Sequence, residues 1–171
     1  WFVWSRECQQ AFEEIKRRFT RPPILAFPDV KRNFVIHSDA SGTAIGCALY
    51  QSDRQGTLRP IEFAGRTLSP AERRYSVIEK EALGIYFAVH KQFRQYVYGK
   101  QTLIYTDHKP LVGWLHTKPD NGRLGRWAVR LQEYNLTIRY KPGKENLDAD
   151  YHSRLLCRDE IDARVAIIDK N

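Results

Sequence analysis

Four acidic residues carry the chemistry this sequence could do: Asp39, Glu81, Asp107 and Asp150. Asp39 and Asp107 each stand at the C-terminal end of a short β-rich run, Glu81 stands in the first turns of a long helical pattern, and Asp150 stands in the last one. If the two strands are parallel neighbours, their carboxylates emerge at one edge of the sheet, where open α/β sheets place their sites. Glu81 can lean over that edge and Asp150 can supply a fourth acid. Carboxylates gathered without intervening Lys or Arg repel one another and call for cations. Hard oxygen ligands with room for water select Mg²⁺ or Mn²⁺, and two such ions about 4 Å apart suit hydrolysis of a phosphodiester. Each acid also has a plainer reading. A lone Asp at a strand end commonly closes a turn, and a lone Glu on a helix is commonly solvated. Glu79 and Asp148, each two residues upstream, compete for the same assignments.

The elements that must position these acids are legible from periodicity. Residues 5–19 read as an amphipathic helix with Ser5 as its cap and Cys8, Ala11, Phe12, Ile15 and Phe19 on one face. Pro22, Pro23 and Pro28 then break the pattern, so 1–31 reads as a connector helix and linker. Period-two patterning over 33–38, 44–51 and 59–67, with a polar turn at 52–57, predicts an antiparallel meander. Two helix-start signals follow, Ser69–Glu72 and Ser76–Glu79, both of capping-box form. The stripe Ile78, Ala82, Ile85, Val89, Phe93 and Tyr96 predicts one long helix stopped at Gly99. Residues 102–106 read as a fourth strand, 110–116 as a short helix, 123–134 as a helix, 136–140 as a fifth strand and 145–154 as a final helix. The order βββαβααβα predicts an α/β domain over 32–154, a five-stranded mixed sheet with helices on both faces, followed by a tail at 155–171.

Composition narrows the classes. Hydrophobic residues make up 42% of the 171, with four Trp, nine Tyr and eight Phe, which favours a packed core over disorder. No apolar run is long enough to span a membrane as a helix, and the N-terminus lacks a signal-peptide pattern. Three scattered Cys argue against a disulfide framework or a cysteine zinc site and fit a reducing compartment. The chain begins at Trp1 and contains no Met, which reads as a piece of a larger polypeptide. Its net charge of +8 is concentrated in 91–154, where 12 Lys/Arg face 6 Asp/Glu, and this points to a polyanionic partner. Arg123, Arg126 and Arg130 share one face of the 123–134 helix while Trp127 lies on the other, and Lys109, Lys141 and Lys144 fall on loops near the proposed edge. These six are the candidate phosphate contacts, and phosphate contacts fix position without reading sequence.

Five segments resemble the reverse transcriptase-associated RNase H of gypsy-type LTR retrotransposons: FVIHSDASGTAIGCALYQ (34–51), PIEFAGRTLSPAERRYSVIEKEALGIYFAV (60–89), LIYTDHKPL (103–111), RLGRWAVRLQEYNLTIRYKPGKEN (123–146) and ADYHSR (149–154). WSRECQQAFEEIKRRFTRPPILAFPD (4–29) resembles the connector between polymerase and RNase H in the same proteins. The resemblance implies an RNase H fold and cleavage of the RNA strand of RNA–DNA hybrids during reverse transcription, leaving a 5′-phosphate and a 3′-hydroxyl. It implies two Mg²⁺ ions, replaceable by Mn²⁺, held by Asp39, Glu81, Asp107 and Asp150, and so selects Glu81 over Glu79 and Asp150 over Asp148. Backbone groups at Ser41 and Gly42, with Glu81, are implied to read the 2′-hydroxyl. The polymerase domain of the same polyprotein is the implied protein partner, and cytoplasmic virus-like particles the implied location.

The sequence departs from that pattern beside Asp150, where Tyr151 and His152 replace small or apolar residues. The loop before it carries no His, as is usual in gypsy-type members. His108, after Asp107, reads as loop packing or as support for that acid. A non-catalytic RNase H-like connection or interaction module, in a polyprotein or a domesticated host protein, is the rival reading. Such modules lose acids, and all four are present here. An integrase or transposase of the DDE type would need its helix acid after both aspartates rather than between them.

Overall fold

A computed structural model describes residues 3–20, 25–117 and 122–142. The first helix, α1 (Arg6–Thr20), is capped where the Cys8 amide donates to the Ser5 hydroxyl. The sheet begins with β1 (Phe34–Ala40), β2 (Ala44–Ser52) and β3 (Leu58–Thr67), an antiparallel meander in which β1 pairs with β2 and β2 with β3. The β2–β3 turn is held by Asp53, whose carboxylate accepts from the Gln55 and Thr57 amides, and Gly56 supplies its positive φ of 83°. Then come α2 (Val77–Tyr86), α3 (Arg94–Val97), β4 (Thr102–Thr106), α4 (Arg123–Leu131) and β5 (Leu136–Tyr140). The sheet order is β3-β2-β1-β4-β5, and β1–β4 and β4–β5 run parallel, so the sheet is mixed as predicted.

The core forms where α2 lies across β1 and β2 with α4 beside it. Phe34, Ile36, Ile45, Cys47 and Leu49 of the sheet meet Ala82 and Ile85 of α2 and Ala128 and Leu131 of α4, all buried. Each large apolar side chain so buried is worth roughly 1.5–3 kcal/mol. Cys8 and Cys47 are free thiols. No helix among the described residues is long and apolar enough to cross a membrane.

The predicted long helix is built differently. Ser69 and Glu72 start only a 3₁₀ turn, Glu72–Arg74, which Arg66 locks by two 2.8 Å bonds to the Glu72 carboxylate. Ser76 and Glu79 start α2 proper with a complete capping box. The chain then widens to a π-helix over Phe87–Gln92, closed by the Phe93 amide bonding to the Ala88 carbonyl at 2.8 Å, before α3 and the positive-φ stop at Gly99 (72°). Val89 and Phe93 are both fully buried across this turn. The predicted helix over 110–116 is two 3₁₀ turns, Lys109–Leu111 and Trp114–His116, separated by Val112 and Gly113. The predicted final helix, 145–154, and the tail lie outside the described residues.

Candidate metal centre

Parallel pairing of β1 with β4 brings their C-terminal ends side by side. Asp39 is the penultimate residue of β1 and Asp107 immediately follows β4. Glu81, the fifth residue of α2, reaches over from the helix that covers β1. One carboxylate oxygen from each of the three acids lies within 4.8 Å of the others. Asp39 and Glu81 are buried, while Asp107 is more open than either.

How closely α2 can approach β1 is decided at Gly84, one turn after Glu81. A Cβ added there would stand 2.8 Å from the Ser38 hydroxyl oxygen and 3.6 Å from the Asp39 carbonyl. A methyl there would require the Ser38 hydroxyl to turn aside, and a bulkier residue would press on the Asp39 backbone behind it. A mid-helix Gly, which costs about 1 kcal/mol relative to Ala, is the one mark such close packing leaves in the sequence.

The electrostatics of the cluster are set by burial and like charge. Burial pushes the Glu81 carboxyl up from 4.5 to about 9, Asp39 and Asp107 add to the rise, and a hydrogen bond from the Ala40 backbone opposes it. The Oε2 of Glu81 is buried and has no hydrogen-bond partner among the described residues. A buried carboxylate oxygen with no donor, facing two further carboxylates, fits a site for a divalent cation with hard oxygen ligands. Asp150 and Lys144 lie outside the described residues, so the three-acid cluster is the described part of the predicted four.

The other predicted site residues have varied surroundings. The Ser41 hydroxyl accepts from the Thr43 and Ala44 amides and closes the β1–β2 turn just beyond Asp39. A Cβ on Gly42 would meet nothing within 4 Å, so that turn is open to an incoming molecule. Lys109 is exposed two residues after Asp107 and has no ion-pair or hydrogen-bond partner for its amino group among the described residues. The Lys141 amino group lies 5.7 Å from the Tyr105 ring centroid. His108 bonds through its backbone, its amide donating to the Thr106 hydroxyl. Arg126 is exposed on α4, Arg130 donates to the Tyr86 hydroxyl at 3.0 Å, and Arg123 pairs with Glu79 at 2.8 Å. Trp127 stacks on Tyr86, as its predicted inward face requires. A cavity of about 580 Å³ opens at the opposite end of the sheet, between Lys31, Val35, Leu103 and Arg139. Its one carboxylate, Asp53, is already bound to Arg59, so it offers no competing metal site.

Comparison with known proteins shows the family and the fold. Residues 29–134 match the model of the RNase H-like domain found in reverse transcriptase. The chain is 47% identical over 150 residues to the retrovirus-related Pol polyprotein from transposon 297 of Drosophila melanogaster, a match spanning 87% of this chain and 14% of that protein. It is 43% identical over 147 residues to the corresponding polyprotein from transposon opus, with 85% and 14% covered. The chain thus spans about one-seventh of the length of these relatives. Among solved structures, the foamy viral protease-reverse transcriptase dRH in complex with double-stranded DNA superposes with a TM-score of 0.64 at 19% identity, over 81% of this chain and 26% of that one. LC11-RNase H1 in complex with an RNA/DNA hybrid superposes at 0.52 and 14% identity, over 70% and 92%. At those identities the structures speak to the fold alone. With its mixed five-stranded sheet, its acid-bearing edge and a family match covering 29–134, the chain belongs to the RNase H-like domains found in reverse transcriptases.

Proposed function

We propose that this chain is a ribonuclease H that hydrolyses the RNA strand of RNA–DNA hybrids during retrotransposon reverse transcription, using two Mg²⁺ ions that Mn²⁺ can replace. The observation that carries the reading is the meeting of Asp39, Glu81 and Asp107 within 4.8 Å, with a buried Glu81 oxygen lacking a donor among the described residues. Asp39, Glu81 and Asp107 would hold the ions, with Asp150 completing the set. Bound there, the ions supply Lewis-acid stabilisation of both the attacking and the leaving oxygen of an in-line phosphodiester displacement.

The chain's own groups do the rest. Strand ends and α2 hold the carboxylates in place before substrate arrives, so little reorganisation accompanies the reaction. The Ser41 amide is already bonded to the Ala44 carbonyl, so the open turn at Gly42 is what would receive a ribose 2′-hydroxyl beside Asp39, and Lys109 offers a cation beside Asp107. Arg126, Arg130 and Lys144 are further candidates for the hybrid's phosphates. The RNA/DNA hybrid bound by a protein of the same fold supports this choice of substrate. In this reading the polymerase domain of the same polyprotein delivers the hybrid, and the work takes place in cytoplasmic virus-like particles.

The test is a gel assay on an end-labelled RNA–DNA hybrid with Mg²⁺ or Mn²⁺. Cleavage is expected to fall by more than about a hundredfold in Asp39→Asn, since even groups that only support metal ligands cost ten- to a hundredfold when removed. Absence of cleavage by both this chain and the polymerase-containing protein would overturn the enzymatic reading in favour of a non-catalytic module. Cleavage retained in Asp39→Asn would overturn the site instead.

A further inference from the structure

A row of arginines on the exposed side of α4 invites assignment to substrate phosphates, but Arg123 is engaged elsewhere. Its guanidinium donates to Glu79 Oε1 at 2.8 Å and lies over the Tyr75 ring, 4.2 Å from the centroid. Tyr75 in turn contacts the Trp127 ring of α4, with centroids 6.3 Å apart. The other oxygen of Glu79 accepts from the Ser76 amide and the Ser76 hydroxyl, both at 2.9 Å. One carboxylate therefore closes the first turn of α2 and ties it to the first residue of α4.

That first turn is under load, because Glu81 follows Glu79 by two residues and is buried against Asp39 and Asp107. The buried Oε2 of Glu81 has no hydrogen-bond partner among the described residues, so holding this carboxyl inside costs free energy that exposure to water would recover. Terminal turns open with little free energy, and an opened first turn would carry Glu81 away from the strand ends. We propose that Arg123 is a positioning residue: by clamping Glu79 and Tyr75 it holds the start of α2, and so keeps Glu81 at ligand distance from Asp39 and Asp107. The inference rests on the metal-centre reading above. Arginine suits the task because a planar guanidinium can pair with a carboxylate while lying flat on a ring, whereas a lysine ammonium satisfies only one of these well.

The test compares the whole chain with its Arg123→Ala and Arg123→Lys variants by Mn²⁺ titration calorimetry, by amide hydrogen exchange over residues 79–82 without metal, and by the salt dependence of hybrid binding. Arg123→Ala is expected to weaken Mn²⁺ binding by about three- to tenfold, the scale of one exposed ion pair plus one cation–π contact. It should also speed exchange over 79–82 and leave the salt slope of hybrid binding unchanged, with Arg123→Lys recovering part of the loss. Unchanged Mn²⁺ affinity and exchange, together with a salt slope reduced by about one, would make Arg123 a phosphate contact and overturn the clamp. Failure of the unaltered chain to bind Mn²⁺ would overturn the metal-centre reading, and the clamp with it.

Discussion

Glu81 holds its carboxylate where a charge is least stable, in a buried position 5% exposed and facing two other acids. Its folded-state value of about 9 stands well above the ordinary 4.5. Between those two values the metal-free folded chain keeps a proton that the unfolded chain releases. The stability this confers is fully present below pH 4.5 and is lost as pH rises towards 9, at up to about 1.4 kcal/mol per pH unit. Urea denaturation in EDTA at pH 6 and pH 8 should therefore show the protein weaker at the higher pH, and Glu81→Gln should flatten the difference. Saturating Mn²⁺ should also flatten it, because the cation takes the place of the proton. A Glu81→Gln protein with the same pH slope as the unaltered chain would sink this account. The same substitution should abolish cleavage, so one residue would trade stability of the empty site for function.

At the scale of elements, the site depends on how α2 begins and how near it comes to β1. The beginning is the Ser76–Glu79 capping box, and the approach is the Gly84–Ser38 contact. Gly84→Val should overpack this interface, costing about 1–3 kcal/mol in urea denaturation, and should weaken Mn²⁺ binding as Glu81 is displaced from Asp39. Normal stability with normal Mn²⁺ affinity would show that Gly84 sets no spacing. The capping box was legible because its two partners are three residues apart and of diagnostic type. The strand-end aspartates were legible because period-two patterning locates strand ends, although parallel pairing of β1 with β4 had to be assumed. Glu81 is preferred to Glu79 on the capping-box role of Glu79 and on the family resemblance, and the structure adds Arg123 as a further partner of Glu79. The π-helix over Phe87–Gln92 was not legible, because Val89, Phe93 and Tyr96 fit a 3.6-residue stripe as well as a wider turn. The Gly84–Ser38 and Arg123–Tyr75 contacts were not legible either, being meetings of side chains far apart in the chain.

At the scale of the whole molecule, two cations of the basic half, Lys109 and Lys141, stand by the acid-bearing edge of the sheet. The +6 balance of 91–154 is contributed partly by residues next to the acids, with Lys109 two positions after Asp107 and Lys141 just beyond the end of β5. An open, basic edge suits a long duplex, which no closed pocket could admit. A polyanion held this way releases counterions on binding, so affinity for the hybrid should fall linearly in log–log terms with salt, with a slope near −0.9 for each phosphate neutralised. Fluorescence anisotropy with the Asp39→Asn protein, which leaves the hybrid intact, should show this between about 50 and 200 mM salt. Lys109→Ala should make the slope shallower by about one and weaken binding equally for hybrids of unrelated sequence, because a phosphate contact carries no sequence information. A slope unaffected by Lys109→Ala would remove this lysine from the interface. Loss confined to particular sequences would instead make it a reader of bases, a role the exposed position beside the metal-binding edge gives no reason to expect.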